Sequence, residues 1–504
     1  MLLLYLLAAL VVSGTWLWQW RAVPSNHLGF PRVQREPRSS HPVSSAVLKG
    51  YTQISRVSGR PFWLRYWQRD YLVLPAKYLP DIRRANREHL SFFDSIKDTL
   101  FQYNWLSDLF KLRRMTFAVI RGVNSQLPKL APIMFEESQL AFDEIVGLKE
   151  GETGSFEAMN MMTDICLQTM VRVVAGKELS RNRRFLNAAR AYFDGNFLTG
   201  IIMLNLPFRG QLRDTIAWPL YKYHQHFRQR PLIEMIEPVV AKRIEDHKMG
   251  QRDKEEKDAI QCTLDILHDF PFDEHSRVTP SHALSHETLQ LIWASGQSPA
   301  LSITTILFKL LEEPDYIEPL REEAKAAIDH HGWTDSIFQD LHKMDSFIRE
   351  THRLYSTFSI NATRAVIGQP FTFSDGLTIP VGVRIGFAAE GCQRDPEFIA
   401  DPEPFDGFRF VKLIAADAKQ EDRVGRWAAS HPSYSNLIFG YGNHACPGRF
   451  ISIRLIKILM CRILLYFEMS WDRRTLEPPR LSFEGLSFPD VKQKIILKRR
   501  LAVA

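Results

Sequence analysis

Cysteine is scarce in this sequence: Cys166, Cys262, Cys392, Cys446 and Cys461 are its five, an odd number with no paired spacing among 504 residues. That excludes a disulfide framework or a Cys-x-x-Cys zinc site and fits a domain that folds in a reducing compartment. Basic blocks are missing too. With no run of five or more Lys or Arg, the net charge of +7 argues against a nucleic-acid binder and for a basic face turned to an acidic redox partner or a membrane surface. No internal repeat or low-complexity segment is present, which excludes solenoids and linker arrays. A Gly-x-Gly-x-x-Gly nucleotide loop and a flavin-binding half are also absent, so any electrons the chain uses must come from another protein.

Charge is absent from residues 1–20, MLLLYLLAALVVSGTWLWQW. As a helix this stretch would span about 30 Å, one bilayer crossing, with Trp16, Trp18 and Trp20 as interface anchors. It lacks the basic start of a cleaved signal peptide. Arg21, Arg32 and Arg35 follow it and none precedes it, which predicts that everything downstream stays cytoplasmic, most simply on the endoplasmic reticulum. Pro24, Pro31, Pro37 and Pro42 make 21–45 a stiff tether. The expected organisation is a transmembrane anchor over 1–20, that tether, and one folded domain over 46–504.

What is abundant is apolar material, 45% of residues with 33 Phe, enough for a large core. Apolar periodicity predicts helices over 156–175, 184–200, 230–248, 283–312, 315–331 and 339–355. A smaller β portion is expected over 358–387, where Phe371 to Pro380 has strand–turn–strand composition. The fold class is mainly α with a small β portion. The polar stretch 249–258 reads as a solvated loop.

The most informative segment is Phe439-Gly440-Tyr441-Gly442-Asn443-His444-Ala445-Cys446-Pro447-Gly448-Arg449-Phe450. It presents one cysteine from a glycine-rich loop where an apolar helix begins, with Ile451, Ile453, Leu455, Ile456 and Leu459 at helical spacing. Pro447 suits a first helical position, which would put Cys446 at a helix N-terminus, where unpaired N–H groups favour a thiolate. Gly442 and Gly448 permit a tight turn, and Phe439 can shield the sulfur from water.

The segment resembles the signature of the cytochrome P450 family, Phe-x-x-Gly-x-x-x-Cys-x-Gly, matched without a gap. The resemblance implies the cytochrome P450 fold, a haem b cofactor, and Cys446 as the axial iron ligand, whose electron donation favours O–O cleavage. It also implies a network of Glu350, Arg353 and Arg409 that fixes the cysteine loop. Glu350 and Arg353 share a helix face by spacing alone, but so do Glu318 and Arg321, for which an exposed pair is the default. His444 and Arg364 match positions that contact haem propionates. Arg121 is a looser candidate, because the tryptophan customary on its helix is missing.

The helix over 283–312 should cross the distal face of the haem. Where the family carries an acid followed by an alcohol, this chain has Ala294-Ser295-Gly296-Gln297-Ser298-Pro299. Gln297 can orient a water but is no acid, Ser298 keeps the hydroxyl, and Pro299 should kink the helix and open the groove. The catalytic residues expected are thus Ser298 and Gln297. Leu354, Ser356, Phe358, Ile360 and Ala362 either line the substrate pocket or belong to the core.

Segments 174–182, 316–323 and 344–350 resemble a filamentous-fungal branch of the family in secondary metabolism. That implies a monooxygenase oxidising an apolar terpenoid or meroterpenoid with O2 and electrons from NADPH-cytochrome P450 reductase. A haem-thiolate isomerase, cyclase or desaturase without net oxygen insertion, and a non-catalytic haem-binding protein, are the alternatives.

Overall fold

The computed structural model describes residues 28–35, 39, 41–67, 69–96, 114–205, 210–251, 258–272, 277–416, 423–474 and 480–501. The expected anchor at 1–20 lies outside them, and no helix among the described residues is long and apolar enough to cross a membrane. The packed body starts earlier than residue 46. Helix α1 (Pro42–Gly50) buries Val43, Ala46 and Val47, and Val33 donates its N–H to Trp63. Arg32 pairs with Asp70 and Arg35 with Glu484, so two of the arginines expected to set membrane orientation also dock the chain on the domain.

Five strands form the main sheet: β1 (Phe62–Tyr66), β2 (Arg69–Leu74), β3 (Leu90–Ser91), β5 (Ile360–Val366) and β8 (Arg384–Ala388), in the order β1-β2-β8-β5-β3. Only the β2–β8 pair is parallel. The expected strand–turn–strand is present as β6 (Phe371–Thr372) and β7 (Thr378–Ile379). β4 (Thr153–Glu157), β9 (Phe467–Trp471) and β12 (Lys494–Arg499) form a second sheet, and β10 (Arg480–Phe483) pairs with β11 (Leu486–Pro489).

The helical body holds the larger core. Its long elements are α2 (Leu127–Ile145), α3 (Ala158–Ala175), α4 (Arg183–Asn205), α5 (Gly210–His224), α6 (Arg230–Lys248), α7 (Pro280–Glu312), α8 (Ile317–His331), α9 (His342–Leu354) and α10 (Arg449–Tyr466). At 33 residues, α7 is about 50 Å long and runs through the middle, packed by α3, α6, α9 and α10. Thr279 caps its start by accepting the His282 N–H. The helix continues through Pro299 without a break in its assignment, so the expected kink does not interrupt it.

A second apolar core lies between α1 and the main sheet. The cysteine loop joins the two cores, with Leu437 packed into the sheet core and Phe439 against the helical one.

Candidate active site

Cys446 is the exposed cysteine, and the other four are buried. Its loop is closed by backbone bonds: the Cys446 N–H donates to the Phe439 carbonyl at 2.8 Å and the Ala445 N–H to Gly442 at 2.9 Å. The conformation demands glycine at two positions. Gly440 and Gly442 have φ of +71° and +67°, and a Cβ on Gly442 would sit 2.6 Å from the Arg83 Cα. Gly448 lies in the turn ahead of the next helix, as expected, but its ordinary φ of −82° does not itself require glycine.

Pro447 is not the first helical residue. Gly448 caps α10, which begins at Arg449, so Cys446 lies just outside the helix. Although the residue keeps an open side, the protein packed around its sulfur raises the thiol pKa, while the backbone N–H groups of Gly448 and Arg449 and the Arg449 charge pull it down. The net effect holds the thiol above its ordinary value.

Glu350, Arg353 and Arg409 meet in a buried network. Glu350 Oε1 accepts from Arg353 at 2.7 Å and from Arg409 Nε at 3.0 Å, and Oε2 accepts from Arg353 Nε at 2.8 Å. The Glu350 and Arg353 side chains are 0% exposed. Their remaining donors take the carbonyls of Gln393 and Pro402 for Arg353, and of Ala400 and Pro404 for Arg409. By contrast, Glu318 paired with Arg321 is 62% exposed, so identical spacing yields a surface pair there.

Gln393, which nothing local in the sequence singled out, carries the network onward. It donates to the Arg353 carbonyl at 2.9 Å and accepts the Leu437 N–H at 2.9 Å, two residues before Phe439. Asn124 holds the other side of the loop through the Pro447 carbonyl.

Arg364 is 1% exposed and donates to the carbonyls of Thr363 and Tyr441, the latter in the cysteine loop. A bulge between Asn361 and Arg364, with Ala362 at φ +52°, aims it there. Its Nε has no partner and no carboxylate pairs with it among the described residues. Burial, then the neighbouring Arg87, pushes its pKa down to about 9. A buried cation without an anion is what a haem propionate would complement. His444 is committed differently: its Nε2 donates to the Leu90 carbonyl at 3.1 Å, and Phe92 and Phe93 flank the ring. Arg364, more than His444, is thus the cation this pocket offers. Arg121 pairs with Asp269 on the surface.

On α7, Ala294 and Ser298 are exposed, Gln297 is half-buried, and Gly296, Pro299 and Ala300 are buried. Positions 294, 298 and 301 share a face, and α7 packs against α10, the helix that the cysteine loop enters. Ala294, Ser298 and part of Leu301 thus leave one stripe of this central helix uncovered. Gln297 and Ser298 make no side-chain hydrogen bond among the described residues. Of the expected lining residues, Ile360, Ala362 and Leu354 are buried, while Ser356 and Phe358 are half-buried.

A family model described as Cytochrome P450 matches residues 81–497. Among curated proteins, the cytochrome P450 monooxygenase sirB of Leptosphaeria maculans is 33% identical over 457 residues, spanning 90% of this chain and 85% of that one. An ent-kaurene oxidase of Gibberella intermedia is 26% identical, spanning 87% and 81%. The cytochrome P450 monooxygenase paxP of Penicillium paxilli is 28% identical, spanning 86% and 82%. A solved retinoic acid bound cyanobacterial CYP120A1 superposes with a TM-score of 0.65 at 16% identity, covering 93% of this chain and 98% of that one, a likeness of fold.

Proposed function

This chain belongs to the cytochrome P450 family, and we propose that it is a haem-thiolate monooxygenase that oxidises an apolar terpenoid or meroterpenoid in secondary metabolism. The observation that carries the reading is the pairing of one exposed cysteine in a glycine-fixed loop with a buried Arg364, without a carboxylate partner among the described residues, on the adjoining strand. These residues fit haem b. Cys446 would hold the iron, Arg364 a propionate, and Phe439 and Gly442 the flat face of the ring. When bound, the haem supplies the oxygen-activating chemistry.

The chain's own residues supply the rest. The Glu350–Arg353–Arg409 network and Gln393 fix the loop, so that Cys446 keeps one position. The stripe of Ala294 and Leu301 gives an apolar wall that excludes water and orients a hydrocarbon. Ser298 offers a hydroxyl for passing a proton, and Gln297 can hold a water beside it. The names of relatives such as ent-kaurene oxidase support an apolar polycyclic substrate.

Electrons come, in this reading, from NADPH-cytochrome P450 reductase. Exposed Arg83 and Arg84, with half-buried Arg87 donating to the Asn443 carbonyl, lie near the cysteine loop and give a basic face for an acidic partner. Residues 1–20 would anchor the protein in the endoplasmic reticulum membrane with residues 46–504 cytoplasmic.

A second reading, isomerisation or desaturation without net oxygen insertion, is favoured by one feature. Between Thr288 and Leu311, α7 carries no acid, so the proton supply is weaker than an acid–alcohol pair would give. Purified protein loaded with haem should show a thiolate-type spectrum of its reduced carbon monoxide adduct, and titration with polycyclic terpenoids should shift the iron spin state. Absence of the first would overturn the ligand assignment. A thiolate-type spectrum with no spin shift for any terpenoid would overturn the substrate class.

A further inference from the structure

His352, between Glu350 and Arg353 on α9, belongs to neither the ion network nor the uncovered stripe of α7. It is 4% exposed, and its Nδ1 has no partner among the described residues. Its Nε2 shares a hydrogen bond with Ser302 Oγ on α7, one helical turn beyond Ser298. The ring stands at 86° to that of Phe439, with centroids 6.2 Å apart. Phe439 in turn accepts the Cys446 N–H. The His352 carbonyl also receives Gln393 Nε2, whose partner oxygen holds Leu437.

Resting on the haem-thiolate reading of Cys446, we propose that Ser302 and His352 form a positioning strap between the helix of the oxygen side and the loop of the sulfur side, holding the Phe439 ring over Cys446. The chemistry suits the role. A neutral imidazole is rigid, offers a polar edge to Ser302 and an aromatic body to Phe439, and is long enough to join two elements that share no backbone bond. A leucine would fill the volume but leave the Ser302 hydroxyl unpaired, and Phe439 would lose its edge contact. Movement of α7 on substrate entry then reaches the shielding of the sulfur through two side chains, without passing through the haem. Ser302 and His352 are thus positioning residues, acting through Phe439.

The test uses the full-length, haem-loaded chain as wild type, Ser302→Ala, His352→Leu, the double variant and His352→Gln. Glutamine can place an amide where Nε2 lies, so it is the conservative rescue. The decay of the thiolate-type carbon monoxide adduct to the thiol-type adduct is followed at one mild temperature, together with the iron reduction potential and the circular dichroism of each variant. Each single variant should decay about fivefold faster, as expected for one lost hydrogen bond. The double variant should decay no faster than His352→Leu alone, because that change already removes the link that Ser302→Ala breaks. The potential should move in the same direction in Ser302→Ala and His352→Leu and return in His352→Gln.

Effects that multiply in the double variant, an unaltered decay in Ser302→Ala, or failure of His352→Gln to restore it would overturn the strap. If His352→Leu fails to fold, Ser302→Ala against wild type still decides. A wild type with no thiolate-type adduct would overturn the reading of Cys446 instead, which distinguishes the two failures.

Discussion

At Cys446, the protein packed around the sulfur and amide donation pull the thiol in opposite directions, and the former is the larger. Cys446→Ala should abolish the thiolate-type carbon monoxide spectrum with the fold intact by circular dichroism, since the other four cysteines are buried. Ser298→Ala removes the hydroxyl on the uncovered stripe. It should raise peroxide release per NADPH oxidised, measured as the ratio of peroxide to product, and an unchanged ratio would remove Ser298 from the proton path. His352 carries a pH signature. Burial lowers its pKa from 6.5 to about 4, so the unfolded chain takes up a proton between those values that the folded one refuses. Its contribution to stability is complete above pH 6.5 and declines as the pH falls toward 4. His352→Gln should flatten the fall in thermal midpoint over that window by one proton's worth, about 1.4 kcal/mol per pH unit. An equally steep fall in the variant would contradict the buried neutral imidazole.

Among elements, the comparison of two ion pairs at the same helical spacing is instructive. Glu350→Ala strands two buried guanidiniums and should cost about 3–5 kcal/mol, with loss of haem on mild heating. Glu318→Ala, at an exposed pair, should cost under about 1 kcal/mol. Comparable losses in the two variants, read as shifts in thermal midpoint, would refute the burial argument. Spacing could not separate these pairs, because burial depends on what packs above each helix; only the resemblance to a known loop-fixing network did so. The helices expected over 230–248 and 283–312 were legible from their long apolar-rich runs and are present at nearly those bounds. The strands β1 and β2 were not, since Phe62 to Leu74 is buried on both faces for much of its length and carries no alternation. Gln393 and His352 escaped for a different reason: their roles arise from partners far away in sequence, Leu437 and Ser302, and no local pattern encodes them.

For the whole molecule, the cysteine loop was readable because its glycine positions answer to local backbone demands, while the boundary of the packed body was not. Arg32 and Arg35 look like topogenic charges beside residues 1–20, yet each meets an acid on the domain surface. The basic face near the loop, including Arg83 and Arg84, agrees with the net charge of +7 and predicts a reductase association that weakens as salt rises. The central claim is that this fold inserts oxygen into an apolar skeleton. It is tested most directly in a host that makes the pathway intermediates, with and without this chain, fed isotopically labelled oxygen gas and read by mass spectrometry. The account predicts a terpenoid product that appears only with the chain and carries label from the gas. A product that appears with the chain but never carries label would contradict oxygen insertion and transfer the explanation to the acid-free run of Gln297, Ser298 and Pro299.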